Sequence, residues 1–147
     1  MNDPAHVLDM LGLPAALGLP APEPRTLAVI GLSDNPLKAS NSVSAYMQQH
    51  GYRILPVNPA ISSALGEKAY PTLASLPVKP DVVNVFRLPY FIPDIVDEMI
   101  ALGLTNLWTQ LGIINLPAAQ KAEKHNINVV MDRCIFIEHR RLTFKKP

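Results

Sequence analysis

Residues 31–41 read GLSDNPLKASN, and their side chains are of the kinds that hold an anion. Hydroxyls at Ser33 and Ser40, amides at Asn35 and Asn41 and a cation at Lys38 crowd into one short stretch after Gly31. Each can donate a hydrogen bond or a charge to a phosphate oxygen. The first turn of a helix adds unpaired N–H groups and a partial positive charge, so a helix start here would complete a phosphate site. For Ser40 and Asn41, capping that helix uses the same groups without a ligand, and both readings stand.

Two other positions carry chemistry. Arg87 follows an apolar run directly and can meet a phosphate or carboxylate of a ligand, or equally pair with an acid of the next helix. Cys134 follows Asp132-Arg133, and a neighbouring cation can activate a thiol, with His139 as the candidate base. A lone cysteine, however, most often behaves as a small buried hydrophobe. His6, His50, His125 and His139 show no ligand spacing with Cys134 or the acids, so no metal site is expected.

The elements that must position these groups follow from periodicity. Leu27-Ala28-Val29-Ile30 reads as a strand ending at Gly31, and Val43, Tyr46, Met47 and His50 then recur at helical spacing from about Ser42 to a stop at Gly51. Further strands are expected over residues 53–57, 81–86, 106–109 and 127–131. Helices are expected from Ile92 to Gly103, over residues 116–125 behind an Asn115 cap, and in a last helical or irregular piece from Cys134 to about Leu142. Residues 60–80 are less regular, with turns at Gly66 and Pro71 and a short helical turn capped by Thr72. Strands alternating with helices demand parallel pairing through right-handed crossovers, so the fold class is α/β: a Rossmann-like, doubly wound, parallel five-stranded sheet with helices on both faces. Ligands in such sheets bind at the carboxyl ends of the strands, here the loops at Gly31, Asn58, Phe86, Gln110 and Asp132.

Composition bounds the rest. The 147 residues suit one domain, preceded by an appendage and Pro-rich connector over residues 1–25 and followed by a short tail, residues 143–147. Asp3 can cap a short helix in the appendage, with Val7, Leu8 and Leu11 on one face. The net charge is +1, and the only basic blocks are Arg140-Arg141 and Lys145-Lys146, so nucleic acid is not expected as a partner. No apolar run approaches the roughly 20 residues of a membrane span, and no basic region precedes the first apolar segment as in a secretion signal. With one cysteine and hence no internal disulfide framework, the cytoplasm is the expected compartment.

A standard dinucleotide site needs G-x-G-x-x-G and an acid roughly 20 positions on. Ser33 and Pro36 occupy the places of the second and third glycines, and the second strand ends in Pro56-Val57-Asn58-Pro59 with no acid. NAD is disfavoured, and another phosphate-bearing ligand is favoured.

The stretches VIGLSDNPLKASNSV, HGYRILPVNP, LGEKAYPTLASLP, DVVNVFR, LWTQLGI and VVMDRCIFIEH, in that order, resemble stand-alone CoA-binding proteins related to the N-terminal domain of the succinyl-CoA synthetase α subunit. The resemblance covers residues 26–142. It implies a domain that binds coenzyme A, or an acyl-CoA, with Gly31, Ser33, Lys38, Ser40 and Asn41 at the phosphates. It further implies Pro56, Val57 and Asn58 along the nucleotide and Phe86 and Arg87 flanking the ligand. The ligases of this kind use a phosphorylated histidine on a second domain. None of the four histidines here sits in a Gly-rich loop of such a domain, so a non-catalytic binding module with a small-molecule ligand is the leading expectation. A thiol-dependent enzyme using Cys134, an NAD(P)-binding module and a partner-binding module are the alternatives.

Overall fold

The five expected strands form one parallel sheet in the computed structural model, which describes residues 1–14 and 19–144. In chain order the elements are α1 (Pro4–Leu11), β1 (Thr26–Ile30), α2 (Ala39–Gln49), β2 (Arg53–Val57), the short strands β3 (Ser63–Ala64) and β4 (Glu67–Lys68), and β5 (Val82–Val85). Then come α3 (Ile92–Leu102), β6 (Asn106–Thr109), α4 (Leu116–Lys124), β7 (Asn128–Val130) and α5 (Ile135–Thr143). Single 3-10 turns form at Leu73–Ser75 and Pro89–Phe91. The Lys145-Lys146 pair and residues 15–18 of the connector lie outside the described residues.

The main sheet runs β2-β1-β5-β6-β7, every neighbouring pair parallel. The chain moves outward from β1 to β2, returns to β5 on the other side of β1, and continues in that direction. Strand order therefore reverses between β1 and β5, which opens a crevice above their carboxyl ends.

Alternation along the strands supplies both cores. Ala28, Val83, Val85, Leu107 and Val129 face α3 and α4, whose Ile92, Val96, Met99 and Ala122 are buried against them. Leu27, Val29, Val82, Trp108 and Val130 face the other way, onto α1, α2 and α5. Burial on both faces is why the strands read as continuous apolar runs.

Residues 1–13 take part in this packing. Asp3 caps α1 by accepting from Ala5 N at 2.9 Å, and Gly12 ends it in the left-handed conformation. Val7, Met10, Leu11 and Leu13 are buried in the second core, and the Tyr52 hydroxyl donates to the Leu11 carbonyl. Asn2 runs beside β7, donating from its backbone N to Val129 O at 2.8 Å and from Nδ2 to Met131 O at 2.9 Å, while its Oδ1 accepts from Met131 N at 2.6 Å.

Two local differences from the sequence expectation have clear causes. α2 begins at Ala39 rather than near Ser42, because Lys38 already supplies the extended cap position and the helix needs no apolar residue in its first turn. Within residues 60–80 the chain makes the β3–β4 hairpin, whose two connecting residues, Leu65 and Gly66, both have positive φ (55° and 75°). That is the backbone of a tight hairpin turn, which an Asn-Gly or Gly-Gly pair would have announced and Leu-Gly does not. Thr72 caps the following 3-10 turn as expected, accepting from Ser75 N at 3.2 Å.

Candidate functional site

The loop after β1 is shaped from within. Ser33 N donates to Ser40 Oγ at 3.0 Å and Asn41 Nδ2 donates to Ser33 O at 2.9 Å, so both helix residues reach back across the loop instead of capping the helix. Both are buried, which fixes the loop against the first turn of α2. Asn35 N donates to Ser33 Oγ, and Leu37 N to Asn35 Oδ1, each at 3.0 Å. Lys38 is exposed, makes no side-chain cap bond and stands at the head of α2.

Three strand ends converge beside this loop. Gly31 N donates to Val57 O at 2.9 Å, and Phe86 N donates to Ile30 O at 2.9 Å. Gly31 has φ +84°, and a Cβ there would lie 2.6 Å from Phe86 O. The close approach of β1 to the β5 end therefore requires glycine. Asn58 Nδ2 donates to Leu32 O at 3.0 Å, tying the end of β2 to the loop after β1.

Two cavities open here, with Arg87 in the wall of both. The smaller, about 230 Å³, is bounded by Gly31, Val57, Pro59, Thr72, Asp94 and Glu98. The larger, about 650 Å³, lies between Ala39 and Val43 of α2, the segment from Phe86 to Phe91, the loop from Gln110 to Ile113, and Cys134. Arg87 stacks its guanidinium 4.2 Å from the Phe91 ring centroid and, among the described residues, forms neither a hydrogen bond nor an ion pair. Asp94 and Glu98 share the smaller cavity without pairing to it, so its charge stays available to a ligand.

The far wall of the larger cavity is held rigidly. Thr109 Oγ1 donates to Ile113 O at 2.7 Å, Gly112 N to Asp132 Oδ1 at 2.7 Å, and Asn115 Nδ2 to Pro89 O at 3.1 Å. Gln110 is buried, its Nε2 donating to Asn84 Oδ1 at 2.6 Å and its Oε1 accepting from Ile135 N at 3.3 Å. That last bond satisfies a free donor in the first turn of α5 and sets Cys134, the cap residue, at the cavity wall.

Of the residues singled out in the sequence, Gly31, Val57, Phe86 and Arg87 line the cavities. Ser33, Ser40, Asn41 and Asn58 frame them through hydrogen bonds, while Pro56 is buried in β2 and Lys38 stands exposed at the helix head. The cavity-lining Leu88, Pro89, Phe91, Leu111 and Ile113 were not anticipated. Their only signal was an apolar residue placed just beyond a strand's carboxyl end. No hydrogen bond joins Cys134 to His139. The His139 Nδ1 and the Tyr46 hydroxyl instead share a hydrogen bond at 2.8 Å, and the ring packs against Tyr46, His50 and Tyr52. Burial, and secondarily the neighbouring His50, lower the His139 pKa; burial raises that of Tyr46 despite the opposing charge of Arg140.

A family model described as a CoA binding domain matches residues 25–140. The chain belongs to the CoA binding domain family. It is similar to the uncharacterized protein YneT of Bacillus subtilis (strain 168), 40% identical over 115 residues that cover 78% of this chain and 85% of YneT. Among solved structures, a hypothetical protein from Pyrococcus horikoshii OT3 superposes with a TM-score of 0.77 at 35% identity, over 80% of this CoA binding domain protein and 83% of that chain. The dinucleotide forming acetyl-coenzyme A synthetase 1 of Ca. Korarchaeum cryptofilum shares the fold at a TM-score of 0.62 and 21% identity, over 74% of this chain and 26% of the synthetase. Membership supports a CoA-related role for this CoA binding domain protein. No helix among the described residues is long and apolar enough to cross a membrane.

Proposed function

We propose that this protein binds coenzyme A or an acyl-CoA, as a non-catalytic module acting in the cytoplasm, in the crevice above β1 and β5. The reading rests chiefly on Arg87, a cation without a polar partner among the described residues, placed at the strand-order reversal and shared by two cavities. The phosphates lie over the 31–38 loop and the head of α2, between Arg87 and Lys38, where backbone N–H groups and the helix dipole add to two positive charges. The nucleotide lies toward Pro56, Val57 and Asn58 at the β2 end. Ser33, Ser40 and Asn41 hold the loop open for it, and Gly31 and Phe86 form the floor. The ligand-binding unit is then residues 26–142.

Calorimetric titration with CoA, acetyl-CoA, NAD and NADP tests this. CoA and acetyl-CoA should bind and the dinucleotides should not; tight NAD binding without a CoA response would overturn the reading. Arg87→Ala should weaken CoA by roughly ten- to hundredfold, the usual loss for a charge-assisted contact, with little change in thermal stability. Lys38→Ala should weaken it less, since an exposed ammonium acts through screened charge.

The place of Cys134 in the larger cavity wall favours one second reading, a thiol step on a bound thioester. If that holds, Cys134→Ser should abolish acyl transfer from acetyl-CoA to the protein. Mass spectrometry showing no acylated protein in the parent chain would dismiss it.

A further inference from the structure

The larger cavity is markedly apolar for a site built beside phosphates. Phe86, Leu88, Pro89, Phe91, Leu111 and Ile113 are half of the residues in its wall, and Ala39 and Val43 add apolar groups on the α2 side. Among the described residues Arg87 is its only charged side chain, with no carboxylate and no lysine beside it in the wall. The Gln110 amide is already bonded at both ends. The apolar surface also continues outward: of the lining residues Leu88 is 70% exposed and Leu111 59% exposed, and the exposed Tyr90 ring packs on lining Phe91. A concentration of exposed apolar side chains around the mouth of a cavity marks a surface meant to be covered by something equally apolar.

Resting on the CoA reading above, we infer that this cavity receives an uncharged aliphatic acyl chain carried as a CoA thioester, so that the preferred ligand is a medium-chain acyl-CoA. The path starts at the head of α2. Phosphates held at residues 38–41 put the start of the arm beside Ala39, which heads α2 and lines the cavity. The arm then runs along the wall toward Leu111 and Ile113, where the side chains that meet the acyl group beyond the sulfur are apolar. At about 650 Å³ the cavity lies within the range of sites that enclose sizeable organic ligands, roughly 300–1,000 Å³, against about 230 Å³ for its neighbour. A dicarboxylic acyl group fits poorly, because its free carboxylate would be desolvated among Phe, Leu and Ile side chains with the one cation engaged by phosphate.

The test is a chain-length series: CoA, butyryl-CoA, octanoyl-CoA and succinyl-CoA titrated into the full chain. Burying a methylene is worth roughly a fourfold gain, so octanoyl-CoA should bind at least thirtyfold tighter than CoA, with butyryl-CoA between them and succinyl-CoA no tighter than CoA. Leu111→Asp, a change on an exposed side chain that the fold tolerates, should reduce the octanoyl advantage by tenfold or more. Equal affinity for CoA and octanoyl-CoA, or a preference for succinyl-CoA, would overturn the acyl inference while leaving CoA binding intact. Failure of every CoA species to bind would remove the CoA reading and this inference together.

Discussion

An alanine methyl at Gly31 would meet the Phe86 carbonyl oxygen at 2.6 Å on a backbone already at φ +84°, and neither can shift without separating β1 from β5. Gly31→Ala should therefore lower unfolding free energy by about 2 kcal/mol or more, read from a urea midpoint, and weaken any ligand in the crevice with it. His139 makes a different prediction. Its pKa is lowered in the folded protein, so between that lowered value and the ordinary value near 6.5 the unfolded chain binds more protons than the folded one. Stability is thus complete above about pH 6.5 and declines as pH falls through that window. Urea midpoints measured from pH 8 to pH 5 should show this decline, and His139→Phe should flatten it. The rings around the imidazole are Tyr46 of α2, His50 just after that helix, and Tyr52, with no carboxylate among these three to favour the charged form.

At the level of elements, α1 separates two views of the amino-terminal residues. Leu11 is fully buried, so Leu11→Ala should cost about 2–5 kcal/mol, as for other large-to-small changes in a packed core; a loosely attached helix would leave the urea midpoint where it was. The sequence showed Asp3 capping a short helix with Val7, Leu8 and Leu11 on one face, but nothing in so short an amphipathic pattern names the surface it covers. The same division runs through the whole chain. Local signals announced themselves: Asn115 at the head of α4, Gly103 after α3, the Val82-Val83 run of β5. Pairings between distant residues did not. Ser40 and Asn41 read equally as caps or ligand contacts, and only the folded loop shows them bonded to Ser33. Arg87 was legible as a candidate because a cation just beyond an apolar strand stands out, whereas Leu111 and Ile113 look like ordinary neighbours of a glycine break until a cavity forms between three loops.

For the whole molecule, the order β2-β1-β5-β6-β7 matters most, because it places the reversal and hence the crevice between β1 and β5. A ligand seated there touches loops that follow β1, β5 and β6, and so bridges parts of the chain far apart in sequence. Binding should stabilise the entire domain: at a hundred times its dissociation constant CoA should add about 2.7 kcal/mol, a rise in melting temperature of roughly 5–10 °C that NAD does not reproduce. The margins of the sheet are closed as well. On one side Tyr70 bridges to Val57, its N donating to Pro56 O while its carbonyl accepts from Asn58 N; on the other, Asn2 occupies backbone groups of Val129 and Met131. Neither outer strand offers another chain a continuous free ladder to extend, so these two residues act as guards against polymerisation through strand addition. Asn2→Pro would unlatch one guard, and light scattering on prolonged incubation at 37 °C should then show aggregation that the parent chain resists.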